Sequence, residues 1–294
     1  MSKKKINFIR YGDYYLKVMD GLTNPIIKYL PKDSYQITTK YQEGCLNISF
    51  FAEHLPHRDV FLCHGIADKN YHDGSRVKDY DYICVPGESW KQKLMNQGVK
   101  EKQIWITGWT KLDPLFNNPM KIMHEDNKVH VLYAPTHNMH QDKKIVTVSC
   151  YPRLNEYFSD IPSDIKILSS PHPANKSDRA TTLDLFDWCD VTISDCSSVL
   201  YESLTLGIPV VFPDFLVKQP ILQGYPNSFE YQVYNEGISY HADNINHMWD
   251  LIREAKQKGL NQATINFIDG IVSKETRGNA GKITATKLLE LCGE

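Results

Sequence analysis

Short apolar runs alternate with segments of helical spacing along nearly the whole chain. In the first half, five such runs predict strands at residues 5–10, 35–39, 59–63, 82–85 and 104–107. In the second half, four more predict strands at 129–134, 165–169, 191–194 and 209–212. Two segments between the early strands, 13–30 and 88–97, have helical spacing. Continuous apolar runs separated by helices are typical of parallel sheets built from β-α-β units.

A polar stretch with two prolines separates the two series of strands. It covers residues 113–128 and predicts a linker, because proline and polar residues interrupt regular structure. The expected domains are therefore residues 1–121 and 122–294, and the helical segment 278–291 is a candidate to pack back onto the first domain. The predicted fold is α/β, with two doubly wound Rossmann-like domains facing a cleft and ligands at the carboxyl ends of the strands.

Composition narrows the functional classes. The 33 basic and 35 acidic side chains give a formal charge of -2, which provides no general attraction to nucleic acid. None of the seven cysteines forms a C-x-x-C pair, so neither a zinc knuckle nor a disulfide framework is expected. No apolar run approaches the roughly 18 residues of a membrane span, and no signal peptide follows the first lysines. We expect a cytoplasmic protein, with peripheral contact at the inner face of the membrane left open.

The segment DVTISDCSSVLYESLTLGIPVVF (190–212) carries the most chemical information. A strand leads into a polar turn, and a helix follows that ends near Gly207, with Asp195 or Ser197 as the expected N-cap. Ser197 and Ser198 stand where the backbone N–H groups and the dipole of a helix start favour a phosphate, although serine also caps helices without any ligand. Glu202, one turn further on, is a candidate to accept hydrogen bonds from a ribose, and a solvated carboxylate is the alternative.

Other chemically active side chains also follow predicted strands. His64 and Gly65 come after the strand at 59–63, Thr136 and His137 follow the strand at 129–134, and His172 follows the strand at 165–169 between two prolines. Because the carboxyl ends of parallel strands meet at one edge of a sheet, these residues are candidates to line the ligand-binding edge.

Five motifs occur in a fixed order along residues 55–290: CHGIADK, ITGWTKLDPLF, YAPTHN, SSPHP and SDCSSVLYESLTLGIPVVF. This order resembles the CDP-glycerol glycerophosphotransferase family, which consists of GT-B-fold transferases of teichoic-acid and capsule synthesis. The residues that match the family's motifs are His64, Gly65, Lys69, Gly108, Trp109, Asp113, His172, Pro173, Asp195, Ser197 and Ser198. Cys63 replaces the family's tryptophan and Ile66-Ala67 replace its Thr-Pro, so the acceptor stays open.

The resemblance implies a phosphotransferase that moves a phosphopolyol, glycerol phosphate first, from a CDP-activated donor to a hydroxyl of a cell-wall or capsule glycan or a lipid-linked acceptor, releasing CMP. His64 would be the general base, and His172 would stabilise the pyrophosphate. The donor would also contact Thr136, His137, Asp195, Ser197, Ser198, Glu202 and Arg277, while Gly65, Lys69 and Asp113 would be secondary phosphate or acceptor contacts. We expect no cofactor and no metal ion bound by the protein, with free magnesium accompanying the donor.

Three alternatives remain at this stage. The E-S-x-x-x-G-x-P-V run from Glu202 to Val210 is shared across the wider fold, so a GT-B glycosyltransferase or a 2-epimerase-like enzyme could use a UDP-sugar instead. Transfer of another phosphopolyol, such as ribitol phosphate, would give the same motifs. A non-catalytic nucleotide-binding subunit of a polymer-synthesis complex is the third alternative, and the presence of both His64 and His172 argues against it.

Overall fold

The computed structural model describes residues 4–10, 16–52, 54–70, 74–138, 148–172 and 182–293. The chain divides into two compact units, the first with residues 1–66, 71–119 and 269–294 and the second with residues 67–70 and 120–268. The change of unit at 119–120 lies beside the predicted boundary at 121. The limits 1–121 and 122–294 stay a prediction about independently folding domains, since residues 67–70 and 269–294 are assigned across them.

The described residues contain eleven strands and eleven α-helices. The strands are β1 (Ile6–Ile9), β2 (Tyr35–Thr38), β3 (Leu46–Ser49), β4 (Val60–Leu62), β5 (Tyr82–Val85), β6 (Ile104–Ile106), β7 (Val129–Tyr133), β8 (Ile165–Ser169), β9 (Val191–Ile193), β10 (Val210–Pro213) and β11 (Tyr240–Ala242). The helices are α1 (Leu16–Ile27), α2 (Gly74–Val77), α3 (Glu88–Asn96), α4 (Asp113–Asn117), α5 (Thr182–Phe186), α6 (Ser198–Thr205), α7 (Asp214–Gly224), α8 (Phe229–Glu236), α9 (Ile245–Lys258), α10 (Gln262–Ile271) and α11 (Ala280–Cys292). No helix in the described part of the chain combines the length and the hydropathy needed to cross a bilayer.

The first unit contains a six-stranded sheet in the order β2-β1-β3-β4-β5-β6, and all of its strand pairs are parallel. Five of these strands were predicted, but β3 was not. Its polar residues Asn47 and Ser49 alternate with Leu46 and Ile48, and all four are buried. The Asn47 amide accepts from Asn7 at 2.9 Å and donates to Asp59 at 3.2 Å, which explains how a polar side chain lies inside this sheet.

Two contacts hold the last helix of this unit in place: one needs a glycine, and the other is made by a carboxylate. Helix α11 packs on α1, and a Cβ at Gly281 would lie 2.4 Å from the carbonyl oxygen of Pro25, so only glycine permits this approach. The Asp113 carboxylate accepts from the first N–H groups of α11, at Ala280 (3.1 Å) and Gly281 (2.7 Å). The predicted linker at 113–128 is therefore wrong in its first part, because residues 113–117 form α4, with Pro114 in the first turn where proline is tolerated.

The second unit contains a five-stranded parallel sheet in the order β11-β10-β9-β7-β8. Every residue of β7 and β10 is buried, in agreement with their continuous apolar runs. Strand β7 lies between β8 and β9, so the chain builds the sheet first to one side of β7 and then to the other. The first sheet reverses in the same way at β1, which lies between β2 and β3. The predicted α/β class with doubly wound parallel sheets is confirmed.

Candidate functional site

Two loops meet at the carboxyl ends of β7 and β9, where the strand order of the second sheet reverses. Tyr133 and Ile193 are paired in register at the ends of these strands. The backbone N–H of Thr136 then donates to the Asp195 carboxylate at 2.9 Å, which joins the two loops. In doubly wound sheets, the crevice outside such a reversal is the usual ligand-binding position. The structure therefore brings the predicted residues Thr136 and Asp195 together at the expected place.

Asp195 organises this region through its buried carboxylate. The residue is fully buried, and its oxygens also accept from Ser149 Oγ (3.2 Å), from the backbone N–H of Cys150 (3.0 Å) and from that of Cys196 (2.7 Å). Three separate chain segments are thus held by one side chain. Because its oxygens are engaged by protein donors, Asp195 is suited to positioning the loops rather than to touching an anionic ligand.

The two serines at the start of α6 have different roles in the structure. Ser197 occupies the N-cap position, as predicted, but its hydroxyl makes no bond to the helix. It bonds instead to Ser194 Oγ (2.8 Å) and to the carbonyl of Ala134 (3.2 Å), so Ser197 occupies the predicted N-cap position without capping the helix through its hydroxyl. Ser198 Oγ accepts from the N–H of Ala67 at 3.3 Å, which leaves its proton to be donated. The first turn of α6 thus keeps the N–H groups and positive dipole end that favour an anion.

Residues 67–70, which we call the strap, carry a lysine to the same place. Lys69 is 7% exposed, and its Nζ donates to Thr136 Oγ1 at 3.0 Å. A nearly buried ammonium group therefore stands beside the residue that links the loops after β7 and β9. Together with the start of α6, this charge makes the region favourable for a phosphate.

The remaining predicted residues of the second unit are Glu202, His137 and His172. Glu202 is fully buried on α6. The rings of His137 and His172 are in edge contact, with centroids 4.8 Å apart, so the loops after β7 and β8 also converge. Pro173, the second proline of the predicted clamp around His172, lies outside the described residues.

In the first unit, His64 follows β4 and is held in a defined tautomer. Its Nδ1 lies 3.2 Å from the carbonyl oxygen of Phe50, and its ring stacks on Phe51 with centroids 4.2 Å apart. A carbonyl oxygen only accepts, so Nδ1 carries the proton of the neutral ring and Nε2 carries the lone pair. That is the state a general base requires. The carbonyl of the next residue, Gly65, accepts from the Cys63 thiol at 2.8 Å.

Arg277 and Asp113 also lie in the first unit, where both are bonded to protein groups. Arg277 Nη2 donates to Asp269 at 2.6 Å and to the carbonyl of Val272 at 2.8 Å. Asp113 caps α11, and burial raises the pKa of its carboxyl above the usual value. The predicted ligand contacts of these two residues stay predictions.

One group in the described residues has the composition of a metal site. His57, Asp59 and Asp81 offer ligand atoms that all lie within 4.8 Å of one another. His57 Nε2 is 3.3 Å from Asp59 and 3.1 Å from Asp81, an arrangement that contacts between the imidazole and the two carboxylates explain by themselves. The two aspartates precede β4 and β5, at the opposite edge of the sheet from His64. The sequence does not reveal the group, because Asp81 is distant from His57 and Asp59 along the chain.

Two further buried carboxylates, Glu230 and Asp68, were missed as well. Glu230, in the first turn of α8, accepts from the N–H groups of Asp68 (2.9 Å) and Lys69 (2.7 Å) and from the Tyr201 hydroxyl (2.8 Å). Burial raises the pKa of Glu230, and the charge of Asp68 raises it further. A single glutamate in an ordinary helix gives no sequence pattern that distinguishes it from a solvated one.

Comparison with known proteins gives one sequence relative and several structures. No family model matches the chain. A UDP-N-acetylglucosamine 2-epimerase of Salmonella borreze is 34% identical over 93 residues, which are 31% of this chain and 25% of that protein. The matching stretch thus spans about a quarter of the curated relative.

The structural matches extend over nearly the whole chain. The wall teichoic acid polymerase TagF has a TM-score of 0.62 and 15% identity, covering 98% of this chain and 89% of that chain. The fold is GT-B-like. The S. aureus MnaA-UDP co-structure (TM-score 0.54, 12% identity) covers 95% of this chain and 94% of that one. A crystal structure of a UDP-N-acetylglucosamine 2-epimerase (TM-score 0.54, 12% identity) covers 100% and 98%. The GT-B-like fold expected from the motifs is therefore confirmed, and the chain shares this fold with a wall teichoic acid polymerase.

Proposed function

We propose that this protein is a transferase that moves a phosphopolyol, glycerol phosphate first, from a CDP-activated donor to an acceptor hydroxyl and releases CMP. The acceptor class that the motifs favour is a cell-wall or capsule glycan or a lipid-linked precursor of one. One fold neighbour is named a wall teichoic acid polymerase and another is a co-structure with UDP, which supports an enzyme of this general kind.

The observation that carries the proposal is the group at the reversal of the second sheet. The start of α6 with Ser198, the ammonium of Lys69 and the hydroxyl of Thr136 lie together there. All three donate to or attract anionic oxygen, and none of them needs a metal ion to do so. A nucleotide pyrophosphate is the ligand whose charge and oxygen count best suit this set of groups.

The proposed reaction needs a proton acceptor and stabilisation of the leaving group. The acceptor oxygen forms a bond to the phosphorus that bears the polyol, and the bridging P–O bond to CMP breaks. Nε2 of His64 takes the proton of the acceptor hydroxyl, and the donors at the start of α6, with His172, stabilise the charge that develops on CMP. Positioning and electrostatic stabilisation supply most of the rate in phosphoryl transfer.

A second candidate function is supported by a separate observation. The sequence relative and one of the fold neighbours are named UDP-N-acetylglucosamine 2-epimerases, and another neighbour is a UDP co-structure. An enzyme that binds a UDP-sugar would use the same start of α6 for its pyrophosphate. The base and the reacting group of the donor, and not the phosphate site, separate the two functions.

Thermal unfolding with CDP-glycerol, CMP, UDP and UDP-N-acetylglucosamine tests the proposal. A ligand that binds only the folded protein adds about 2.7 kcal/mol at a hundredfold excess over its Kd, so specific binding gives a clear rise in melting temperature. We expect CDP-glycerol and CMP to stabilise the protein more than either uridine ligand, also in the presence of EDTA. Stabilisation by the uridine ligands alone would favour the second candidate and contradict the first.

A further inference from the structure

The strap has a backbone conformation that needs outside support. Lys69 has φ 41° and Asn70 has φ 56°, both in the left-handed region. Side chains other than glycine avoid this region because Cβ approaches the neighbouring carbonyl oxygen. Two such residues in succession imply that contacts around the strap compensate for the strain.

Glu230 provides the main support. One oxygen of its carboxylate accepts from the N–H of Asp68, the other accepts from the N–H of Lys69, and the Tyr201 hydroxyl donates to the first. Successive backbone N–H groups in a turn of this kind form a concave anion-binding surface. Here the anion is a side chain of the protein, and it is fully buried.

Asp68 completes the connection in the opposite direction. Its carboxylate accepts from the N–H of Phe229 (2.9 Å), the first residue of α8, and from the N–H of Asn70 (3.2 Å). The strap therefore caps α8, while Glu230 of α8 binds the strap. These reciprocal bonds fix the backbone of Lys69, and from that position its Nζ reaches Thr136.

We infer that Glu230 is a positioning residue that acts through Lys69: by binding the strap, it holds the ammonium group at the start of α6, where the donor's phosphate binds. This inference rests on the proposed function, because it takes the ligand to be a nucleotide phosphate. Among the described residues, the hydrogen bonds of Glu230 run to the backbone of the strap and to Tyr201, so its effect on the ligand passes through the strap.

The substitution Glu230→Gln tests this role with little change of shape. Its amide group would face one of the two backbone N–H donors, so one of the paired bonds becomes a donor–donor contact. We expect CMP to bind about tenfold more weakly by calorimetry, the size of one lost charge-assisted bond. Glu236→Gln, the same change at the exposed end of α8, is the matched control and should bind CMP like the wild type.

A double-mutant cycle separates positioning through Lys69 from a general loss of structure. Lys69→Met removes the ammonium and keeps the length of the chain, so once it is present Glu230→Gln should weaken CMP binding by less than twofold more. Additive losses, or unchanged CMP affinity in Glu230→Gln, would overturn the inference. If Glu230→Gln does not fold, Tyr201→Phe replaces it in the cycle, because it removes one bond to Glu230 and should weaken binding by a smaller factor.

The same titrations distinguish this inference from the proposed function. If the wild type binds UDP but not CMP, the proposed donor is wrong, and the cycle measured with UDP still decides the role of Glu230. If the wild type binds CMP and the cycle is additive, the donor proposal stands and Glu230 has no positioning role. A wild type that binds CMP, UDP and pyrophosphate equally poorly would overturn both.

Discussion

At the scale of single residues, hydrogen bonds decide which polar side chains are able to react and which support the structure. Asp195 and Ser197 are polar residues of the turn before α6, which made them candidates to contact a ligand. In the structure, both form hydrogen bonds with buried protein groups. Ser198 accepts from the strap at Ala67, and Lys69 donates to Thr136 beside the loop that leads into α6. The type and sequence position of a residue predicted that it lies near the start of α6. The hydrogen-bonding partners of that residue then indicate its role.

The tautomer of His64 leads to a kinetic prediction. His64→Ala should lower turnover by about 10²–10⁴-fold, as expected for the loss of a general base. CMP affinity should change little, because the ring bonds to the carbonyl of Phe50 and stacks on Phe51 within the first unit. His247→Ala, at an exposed histidine of α9, is the control. Turnover near that of the wild type in His64→Ala would remove His64 from the mechanism.

The buried thiol of Cys84 gives a prediction about reactivity. Burial raises the pKa of Cys84 to about 12, so at pH 8 only about one such thiol in ten thousand is a thiolate. Peptide mapping after iodoacetamide treatment at pH 8 should therefore find Cys84 unmodified in the folded protein and modified in urea. The half-exposed Cys45 should react first. Rapid modification of Cys84 in the folded protein would contradict its buried position.

At the scale of elements, the apolar runs located most of the strands, and side-chain pairing explains the exceptions. Strand β3 was missed because Asn47 and Ser49 interrupt its apolar pattern, and Asn47 is satisfied by Asn7 and Asp59 from distant parts of the chain. Strand β11 was missed because its sequence, Tyr-His-Ala, contains a histidine and no continuous apolar run. Such partners are fixed only by the tertiary fold, so sequence periodicity does not reveal them.

The capping of α11 by Asp113 gives a stability prediction. Asp113→Ala removes the acceptor for two buried N–H groups at the helix start, which should cost about 2–4 kcal/mol of unfolding free energy. Urea denaturation followed by circular dichroism measures the loss. Asp33→Ala, at an exposed aspartate of the same unit, should change stability by less than about 0.5 kcal/mol. Equal stability of the two variants would show that the cap contributes nothing.

At the scale of the whole molecule, the sequence predicted the two doubly wound sheets and the edge at which the site residues collect. It did not predict that residues 67–70 belong to the second unit, because the four residues continue the first series of strands without a break. Their assignment depends on the hydrogen bonds of Glu230 and Asp68, and nothing in the sequence pairs Asp68, in the CHGIADK motif, with helix α8. The sequence could predict the candidate site residues that follow strands. It could not predict the buried residues that hold them in position, such as Glu230.

The segment after α4 should be the first to be cut by a protease. Residues 118–128 have no helix or strand, and Met120 and Met123 are 70% and 88% exposed. Limited thermolysin digestion followed by mass spectrometry should therefore find the earliest cleavage within 118–127. Earliest cleavage within 190–212 would contradict the buried assignment of β9, α6 and β10.

The central claim is that a nucleotide phosphate binds at the start of α6, and a calorimetric titration of CMP into three proteins tests it most directly. Ser198→Ala removes a hydroxyl that faces the expected phosphate, and a bond to a charged group is worth about 1.5–3 kcal/mol. Ser203→Ala is the matched control, since it removes a hydroxyl of the same helix that bonds only to Thr192. We predict CMP binding at least about tenfold weaker in Ser198→Ala, and wild-type affinity in Ser203→Ala. Equal affinity in all three proteins, with the fold intact by circular dichroism, would contradict the account.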